Sequence, residues 1–151
     1  MEKQKIISHI TLLLTRNCNL NCTYCYFNKA SGDLTIDNAY KAVDFLFLNS
    51  SRKKKSITFF GGEPLLVPDM ISKICEYSLK KAKMENRQIS FSITTNRTLV
   101  NKSNFDLLKK YNVSTLLRLD GIEESQDLHR IDKNGKGSFR LIKDNLSRIL
   151  E

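Results

Sequence analysis

The amino-acid sequence predicts an α/β fold built on a parallel sheet. Four apolar, partly β-branched runs alternate with four amphipathic helical patterns along the 151 residues. Strict alternation of this kind predicts parallel strands joined by right-handed crossovers. Polar residues at 94–96 follow the third run, and ligands bind at this end of the strands in open α/β sheets and barrels. The length is that of one ordinary domain.

The first half of the chain supplies two strands and the helix between them. Residues 6–14 form an apolar run that is typical of a buried strand. A helix is expected to begin at a cap provided by Thr35 or Asp37, and to end near residues 49–51. Residues 56–60 then give a short second strand.

The second half continues the alternation. Pro68 suits the first turn of a helix, because its missing N–H would be unpaired there in any case. Residues 122–137 form a polar, charged stretch before the last helix. The predicted elements are helices at 68–84, 103–110 and 138–150 and strands at 89–95 and 113–119.

Three closely spaced cysteines follow the first strand. Cys18, Cys22 and Cys25 offer soft ligands of the kind that bind iron–sulfur clusters or zinc. Three such ligands leave one iron of a four-iron cluster open for a group that is not protein. Cys75 lies on the apolar side of a predicted helix and is interpreted as a small buried hydrophobe. A zinc or simple electron-transfer module would need Cys75 or His9 as a fourth ligand.

The cysteine spacing and several other segments together resemble the radical S-adenosylmethionine (radical SAM) enzymes. The CxxxCxxC signature of that family matches residues 18–25. The similarity covers roughly residues 6–150, and it is to the peptide-modifying branch, which includes anaerobic sulfatase-maturating enzymes and makers of thioether-bridged peptides. The other matching segments are 59–66 (FFGGEPLL), 94–96 (TTN), 119–121 (LDG) and 135–139 (GKGSF), together with Asp127, His129 and Arg130.

The resemblance implies a reaction and its cofactors. Cys18, Cys22 and Cys25 would hold a [4Fe–4S] cluster, and S-adenosylmethionine would chelate the open iron. One electron from the cluster would cleave the sulfonium bond, and the resulting 5′-deoxyadenosyl radical would abstract hydrogen from a peptide or protein substrate. A flavodoxin or ferredoxin type of electron donor is also implied. The alternative is a paralogue or fragment that binds the cluster but is catalytically impaired.

The resemblance also assigns cofactor contacts to individual residues, although it identifies no catalytic acid or base. A guanidinium group matches a carboxylate in shape and charge, which suits an arginine to the carboxylate of S-adenosylmethionine. The assigned residues are Tyr24 for the adenine, Gly61, Gly62 and Glu63 for the methionine group, Asn96 for the ribose and Arg130 for the carboxylate.

Two positions depart from the family pattern. Arg118 stands where relatives have the serine of SxDG, which contacts the cofactor. A long cation there would either crowd the site or make a new ionic contact with the cofactor carboxylate. Arg97 follows Asn96 where relatives have glycine, and we expect this change to lose a positive-φ turn.

For the fold, the resemblance implies a partial (β/α) barrel with about four of an expected six units. Residues 1–151 would then be the N-terminal portion of a radical SAM core domain, truncated and without the C-terminal cysteine-rich domain. In that case the fourth strand would lie at an unpaired edge of the sheet.

The composition argues against several other classes of protein. No apolar run approaches the roughly 18 residues of a membrane span, and the N-terminus lacks the apolar segment of a signal peptide. A cytoplasmic location is therefore expected. The net charge of +9 is spread along the chain apart from 52–55 and 80–81, so nucleic-acid binding is not expected.

Overall fold

A computed structural model describes residues 7–27 and 32–150, with side chains described up to residue 147. Four parallel strands form one sheet in the order β1-β2-β3-β4, which confirms the predicted α/β class and the parallel sheet. The strands are β1 (His9–Thr15), β2 (Lys54–Gly61), β3 (Gln88–Thr95) and β4 (Val113–Leu117), and the helices are α1 (Ile36–Leu48), α2 (Pro68–Met84), α3 (Lys102–Lys110), α4 (Glu123–His129) and α5 (Phe139–Leu150).

The core lies between the sheet and the first two helices. Ile57 and Phe59 on β2 are fully buried, as are Val43 and Leu46 on α1 and Ile74 on α2. Burial of such side chains contributes about 1.5–3 kcal/mol each, before the entropy cost of ordering them. This core fixes β1, β2 and β3 beside one another, so that the loops after their carboxyl ends meet at one edge.

Side chains at the helix ends explain where two of the helices begin. The Thr35 hydroxyl accepts a hydrogen bond from the backbone N–H of Asn38 at 3.3 Å, so Thr35 rather than Asp37 caps α1. The Asn101 side chain accepts a bond from the N–H of Asn104 at 2.9 Å and caps α3. Helix α2 begins at Pro68, as predicted.

The principal difference from the sequence prediction is α4, which lies inside the polar stretch at 122–137. Its apolar pattern is weak because the helix buries a polar side chain, that of Gln126, on its inner face. Asp127 then links α4 to the next helix, since its carboxylate accepts the backbone N–H of Phe139 at 2.8 Å. A Cβ at Gly137 would overlap that carboxylate, which explains the glycine there.

Smaller differences concern the strand ends. The first strand ends at Thr15, and its first expected residue, Ile6, lies outside the described residues. The fourth strand ends at Leu117, two residues before the predicted end, and it pairs with β3 at the edge of the sheet. Among the described residues, no helix has both the length and the apolar character needed to cross a membrane.

Candidate functional site

A cavity of about 240 Å³ opens at the carboxyl ends of the strands. The three clustered cysteines line it on one side, and the end of β2, the end of β3 and the segment after α4 supply the other walls. The site residues predicted from the sequence that line it are Cys18, Cys22, Cys25, Tyr24, Gly61, Gly62, Asn96, Arg118 and Arg130. Their individual roles in binding stay predictions.

The cysteine loop is held in place by a segment more than a hundred residues away in the sequence. The backbone N–H of Asn21 donates to the carbonyl of Ile131 at 2.7 Å, and that of Thr23 donates to the carbonyl of His129 at 2.9 Å. The Thr23 hydroxyl also lies 2.9 Å from Nδ1 of His129. These bonds position the loop by backbone pairing, so its cysteines have a defined geometry before any ligand binds.

The glycine pair at 61–62 allows β2 to approach the start of the cysteine loop. The N–H of Gly62 donates to the carbonyl of Thr15 at 2.9 Å, and the N–H of Glu63 donates to the carbonyl of Asn17 at 2.9 Å. A Cβ at Gly61 would overlap the Thr15 oxygen, and a Cβ at Gly62 would overlap the Asn17 oxygen. Both glycines are therefore required by close backbone packing, whatever they bind.

Glu63 lies behind the cavity wall and is not among the residues that line the cavity. One carboxylate oxygen accepts the N–H of Leu65 at 3.0 Å and the hydroxyl of Thr95 at 2.7 Å. The other accepts the N–H of Asn96 at 2.8 Å. Burial raises the pKa of this carboxyl, and these hydrogen bonds oppose the shift. Glu63 thus connects the loop after β2 to the end of β3, where the resemblance implied a contact with methionine.

Arg130 is almost completely buried at the cavity and is not the solvated cation that its polar surroundings in the sequence suggest. Its Nε lies 3.0 Å from a carboxylate oxygen of Asp120, and its guanidinium carbon lies 5.7 Å from the centre of the Tyr24 ring. The Tyr24 hydroxyl donates to the same carboxylate oxygen. This arrangement fixes the direction of the guanidinium group at the cavity wall.

Ionisation in this cluster follows from burial and the shared carboxylate. Burial and the bond to Asp120 raise the pKa of Tyr24 to about 12. Burial opposes ionisation of Asp120, but bonds from Arg130 and Tyr24 hold its pKa below the ordinary value. Near neutral pH the cluster is therefore a neutral tyrosine beside an ion pair.

Gln126 holds the backbone of Asp120 in the cluster formed by Tyr24, Asp120 and Arg130. Its side-chain oxygen accepts the backbone N–H of Asp120 at 2.9 Å, and its amide nitrogen donates to the hydroxyl of Ser138 at 3.0 Å. The side chain is fully buried, so each bond replaces water that the groups have lost. Helices α4 and α5 are in this way tied to the end of β4.

The three thiols provide a donor set that fits an iron–sulfur cluster. Burial raises the pKa of the Cys22 thiol, the Arg130 guanidinium opposes this, and the neighbouring thiols of Cys18 and Cys25 add to it. Within the part of the chain that the structure describes, no three His, Cys, Asp or Glu side chains already form a compact site for one metal ion. A four-iron cluster binds each thiolate through a different iron, so its cysteines surround a larger volume than that of a single ion.

The fourth ligand needed for a zinc site is not found at either predicted position. Cys75 is fully buried in the core, which raises its thiol pKa to about 12. His9 begins β1 and bonds to Ser56 at 2.9 Å, whereas the cysteine loop follows the end of that strand. A strand of this length separates the two ends by about 20 Å. Neither residue lines the cavity, so the zinc alternative lacks its ligand there.

The two departures from the family pattern have different structural outcomes. Arg118 is exposed just beyond the end of β4 and lines the cavity. Arg97 keeps a φ of +59°, so the expected loss of the positive-φ turn is wrong. The turn is held from both sides, because the N–H of Arg97 donates to the Thr95 hydroxyl at 3.0 Å and its carbonyl accepts from Asn145 at 2.8 Å.

Some residues that line or support the candidate site were not predicted from the sequence. Arg16 lines the cavity and lies two residues before Cys18, so its closeness to the cysteines was the available signal. Asp120 was part of a matching motif but had no assigned role. Gln126 had no sequence signal, because a glutamine in a polar stretch is ordinarily exposed.

Comparison with known proteins places the chain in a family. A model described as the radical SAM superfamily matches residues 12–151. An uncharacterized protein of Methanocaldococcus jannaschii is 39% identical over 87% of this chain and 45% of its own length. A cysteine-type anaerobic sulfatase-maturating enzyme of Clostridium novyi is 31% identical over 94% of this chain and 40% of its own length.

A solved structure also resembles this chain in fold. It is described as native anSMEcpe with bound AdoMet and Cp18Cys peptide, and it superposes with a TM-score of 0.82 at 27% identity. The match covers 93% of this chain and 39% of that chain. The chain therefore spans less than half the length of these relatives. It belongs to the radical SAM superfamily, whose members are enzymes that use a [4Fe–4S] cluster and S-adenosylmethionine.

Proposed function

We propose that this chain is the cluster- and cofactor-binding part of a radical SAM enzyme that acts on a peptide or protein. The observation that carries the proposal is the cavity itself, which brings three thiols, the paired glycines and a buried arginine together at one end of the sheet. When bound, the cluster and S-adenosylmethionine supply a 5′-deoxyadenosyl radical for hydrogen abstraction.

Different residues of this chain would bind the cluster and S-adenosylmethionine. Cys18, Cys22 and Cys25 would hold the cluster through their thiolates. Arg130, oriented by Asp120, would offer its remaining guanidinium N–H groups to the carboxylate of S-adenosylmethionine. The ring of Tyr24, whose hydroxyl is already bonded, is left to contact the adenine with its face.

The test is anaerobic reconstitution with iron and sulfide, followed by reduction with dithionite in the presence of S-adenosylmethionine. We expect about four irons per chain, as the cluster composition requires, and formation of 5′-deoxyadenosine. A Cys22→Ala variant should lose both, whereas Cys75→Ala should keep both because that thiol lies in the core. Absence of iron from the wild-type protein would contradict the proposal.

The peptide or protein substrate is supported by the relatives and by the shape of the site. The Clostridium novyi relative is named as a sulfatase-maturating enzyme, and the solved neighbour carries a peptide. The cavity is open at its mouth, where Tyr26 is 82% exposed. Incubation with a peptide deuterated at a cysteine Cβ should transfer deuterium to 5′-deoxyadenosine, and lack of transfer from any such peptide would count against this class.

A second candidate function is a protein that binds the cluster without cleaving the cofactor. The observation that favours it is Arg118, an exposed cation lining the cavity where relatives have serine. Under this alternative the wild-type protein binds iron but forms no 5′-deoxyadenosine, and Arg118→Ser restores product. An active wild-type protein would exclude it. The expected cytoplasmic location and the flavodoxin or ferredoxin type of electron donor stay predictions.

A further inference from the structure

We propose that the side-chain amide of Asn96 donates a hydrogen bond to the Cys18 sulfur and thereby raises the reduction potential of the cluster bound there. This inference rests on the proposed function, because it requires a cluster at the three cysteines. It differs from the role that the family resemblance assigned, which was a contact with ribose.

The geometry brings the amide to the sulfur from a rigid position. Asn96 follows the end of β3, is only 6% exposed and has its Nδ2 3.7 Å from the Cys18 sulfur. The backbone N–H of Leu20 approaches the same sulfur at 3.4 Å. Cys18 therefore receives one N–H from its own loop and one from a different part of the fold.

The orientation of the Asn96 amide is determined by its neighbours. The backbone N–H of Thr98 can only donate, and it lies 2.9 Å from the atom assigned as oxygen. The other terminal atom of the amide is consequently the NH2 nitrogen. It points at Cys18 and at the side-chain oxygen of Asn19, which is 2.9 Å away. A flipped amide would place two donors against each other at Thr98.

The hydrogen-bonding capacity of Asn96 is fully used in this arrangement. Its oxygen accepts from both the N–H and the hydroxyl of Thr98, and its two N–H groups serve Asn19 and Cys18. Asn19 in turn donates to the Thr98 hydroxyl at 2.6 Å, which closes a ring of three side chains. No donor or acceptor of the Asn96 side chain is left over for a ribose hydroxyl.

The effect on the cluster follows from electrostatics. An N–H aimed at a thiolate sulfur stabilises the more negative member of a redox couple, and hydrogen bonds to sulfur are among the factors that set cluster potentials. The couple here is the one-electron reduction of the cluster from its 2+ to its 1+ state. Loss of the donor should make this reduction harder and shift the midpoint to a more negative potential.

The experiment is a dithionite titration of the reconstituted protein followed by electron paramagnetic resonance, without S-adenosylmethionine. We expect Asn96→Leu to have a more negative midpoint than wild type. Asn96→Asp, which keeps the acceptor for Thr98 but replaces the donor by a negative oxygen, should be more negative still. Asn19→Ala is the matched control, because it opens the ring of side chains but leaves the N–H aimed at sulfur; its midpoint should equal that of wild type.

Two results would overturn the inference in distinguishable ways. Equal midpoints for wild type, Asn96→Leu and Asn96→Asp at equal iron content would show that the amide has a structural role alone, while the proposed function stands. A wild-type protein that binds no iron would contradict both this inference and the proposed function. If Asn96→Leu loses its iron, Asn96→Ala, which also lacks the donor and adds no charge, supplies the same comparison.

Discussion

The close approach of β2 to the cysteine loop makes Gly62→Ala an informative perturbation. The added Cβ would overlap the carbonyl oxygen of Asn17, which is a backbone atom and cannot rotate away. Overpacking of this kind costs about 1–3 kcal/mol. Replacing glycine by alanine restricts the unfolded chain and returns about 0.4–1 kcal/mol. The net expectation is a loss of about 1–2 kcal/mol in the free energy of unfolding.

The assay combines urea unfolding with iron analysis. With a urea dependence of about 2 kcal/mol per M, the midpoint should fall by about 0.5–1 M. The displaced carbonyl belongs to the residue before Cys18, so iron content after reconstitution should fall as well. Gly135→Ala is the control: its φ of +79° makes alanine strained, but its Cβ would meet no atom within 4 Å. It should lose a similar free energy and keep its iron.

Unfolding of Gly62→Ala at the wild-type urea concentration, together with normal iron binding, would contradict this prediction. That result would show that the strand and the loop are farther apart than the hydrogen bonds of Gly62 and Glu63 indicate. A loss of stability with normal iron content would separate the packing role of the glycine from any effect on the cysteines.

Three further predictions concern the support of the site and the core. Gln126→Leu leaves the N–H of Asp120 without its partner and should lower the free energy of unfolding in urea by about 1–3 kcal/mol. Gln88→Leu, at an exposed position, should change it by less than about 0.5 kcal/mol. Asp44 on α1 accepts hydrogen bonds from Tyr77 and Lys81 on α2. Burial opposes ionisation of Asp44, but these bonds hold its pKa below the ordinary value. Its contribution to stability is therefore present above the unfolded-state pKa and is lost as the pH falls through the folded-state pKa. Asp44→Asn should therefore flatten the acid side of a plot of thermal midpoint against pH, and an unchanged slope would contradict this. Cys75→Ala should lower the free energy of unfolding by about 1 kcal/mol and leave metal content unchanged; loss of metal would instead favour a zinc site.

The sequence was sufficient for the sheet and for the thiols. Apolar runs such as that around Ile57 and Phe59 are long enough to identify buried parallel strands, and the cysteine spacing is local information. The α2 boundaries at Pro68 and Met84 were also predictable, because a proline and a run of helical apolar spacing mark them.

The rest depends on contacts between distant residues, which periodicity does not report. Helix α4 was missed because Gln126 is buried through two hydrogen bonds rather than through apolar contact. The glycines at 61–62 were interpreted as a place for ligand, but their packing against Thr15 and Asn17 is visible only in three dimensions.

The hydrogen bonds between Thr23 and His129 have a consequence for biosynthesis. The two residues are separated by 106 positions. At a translation rate of about 5–20 residues per second, the ribosome needs about 5–20 s to make the second partner after the first. During that interval the loop that carries the three thiols lacks the backbone partners that position it in the folded chain.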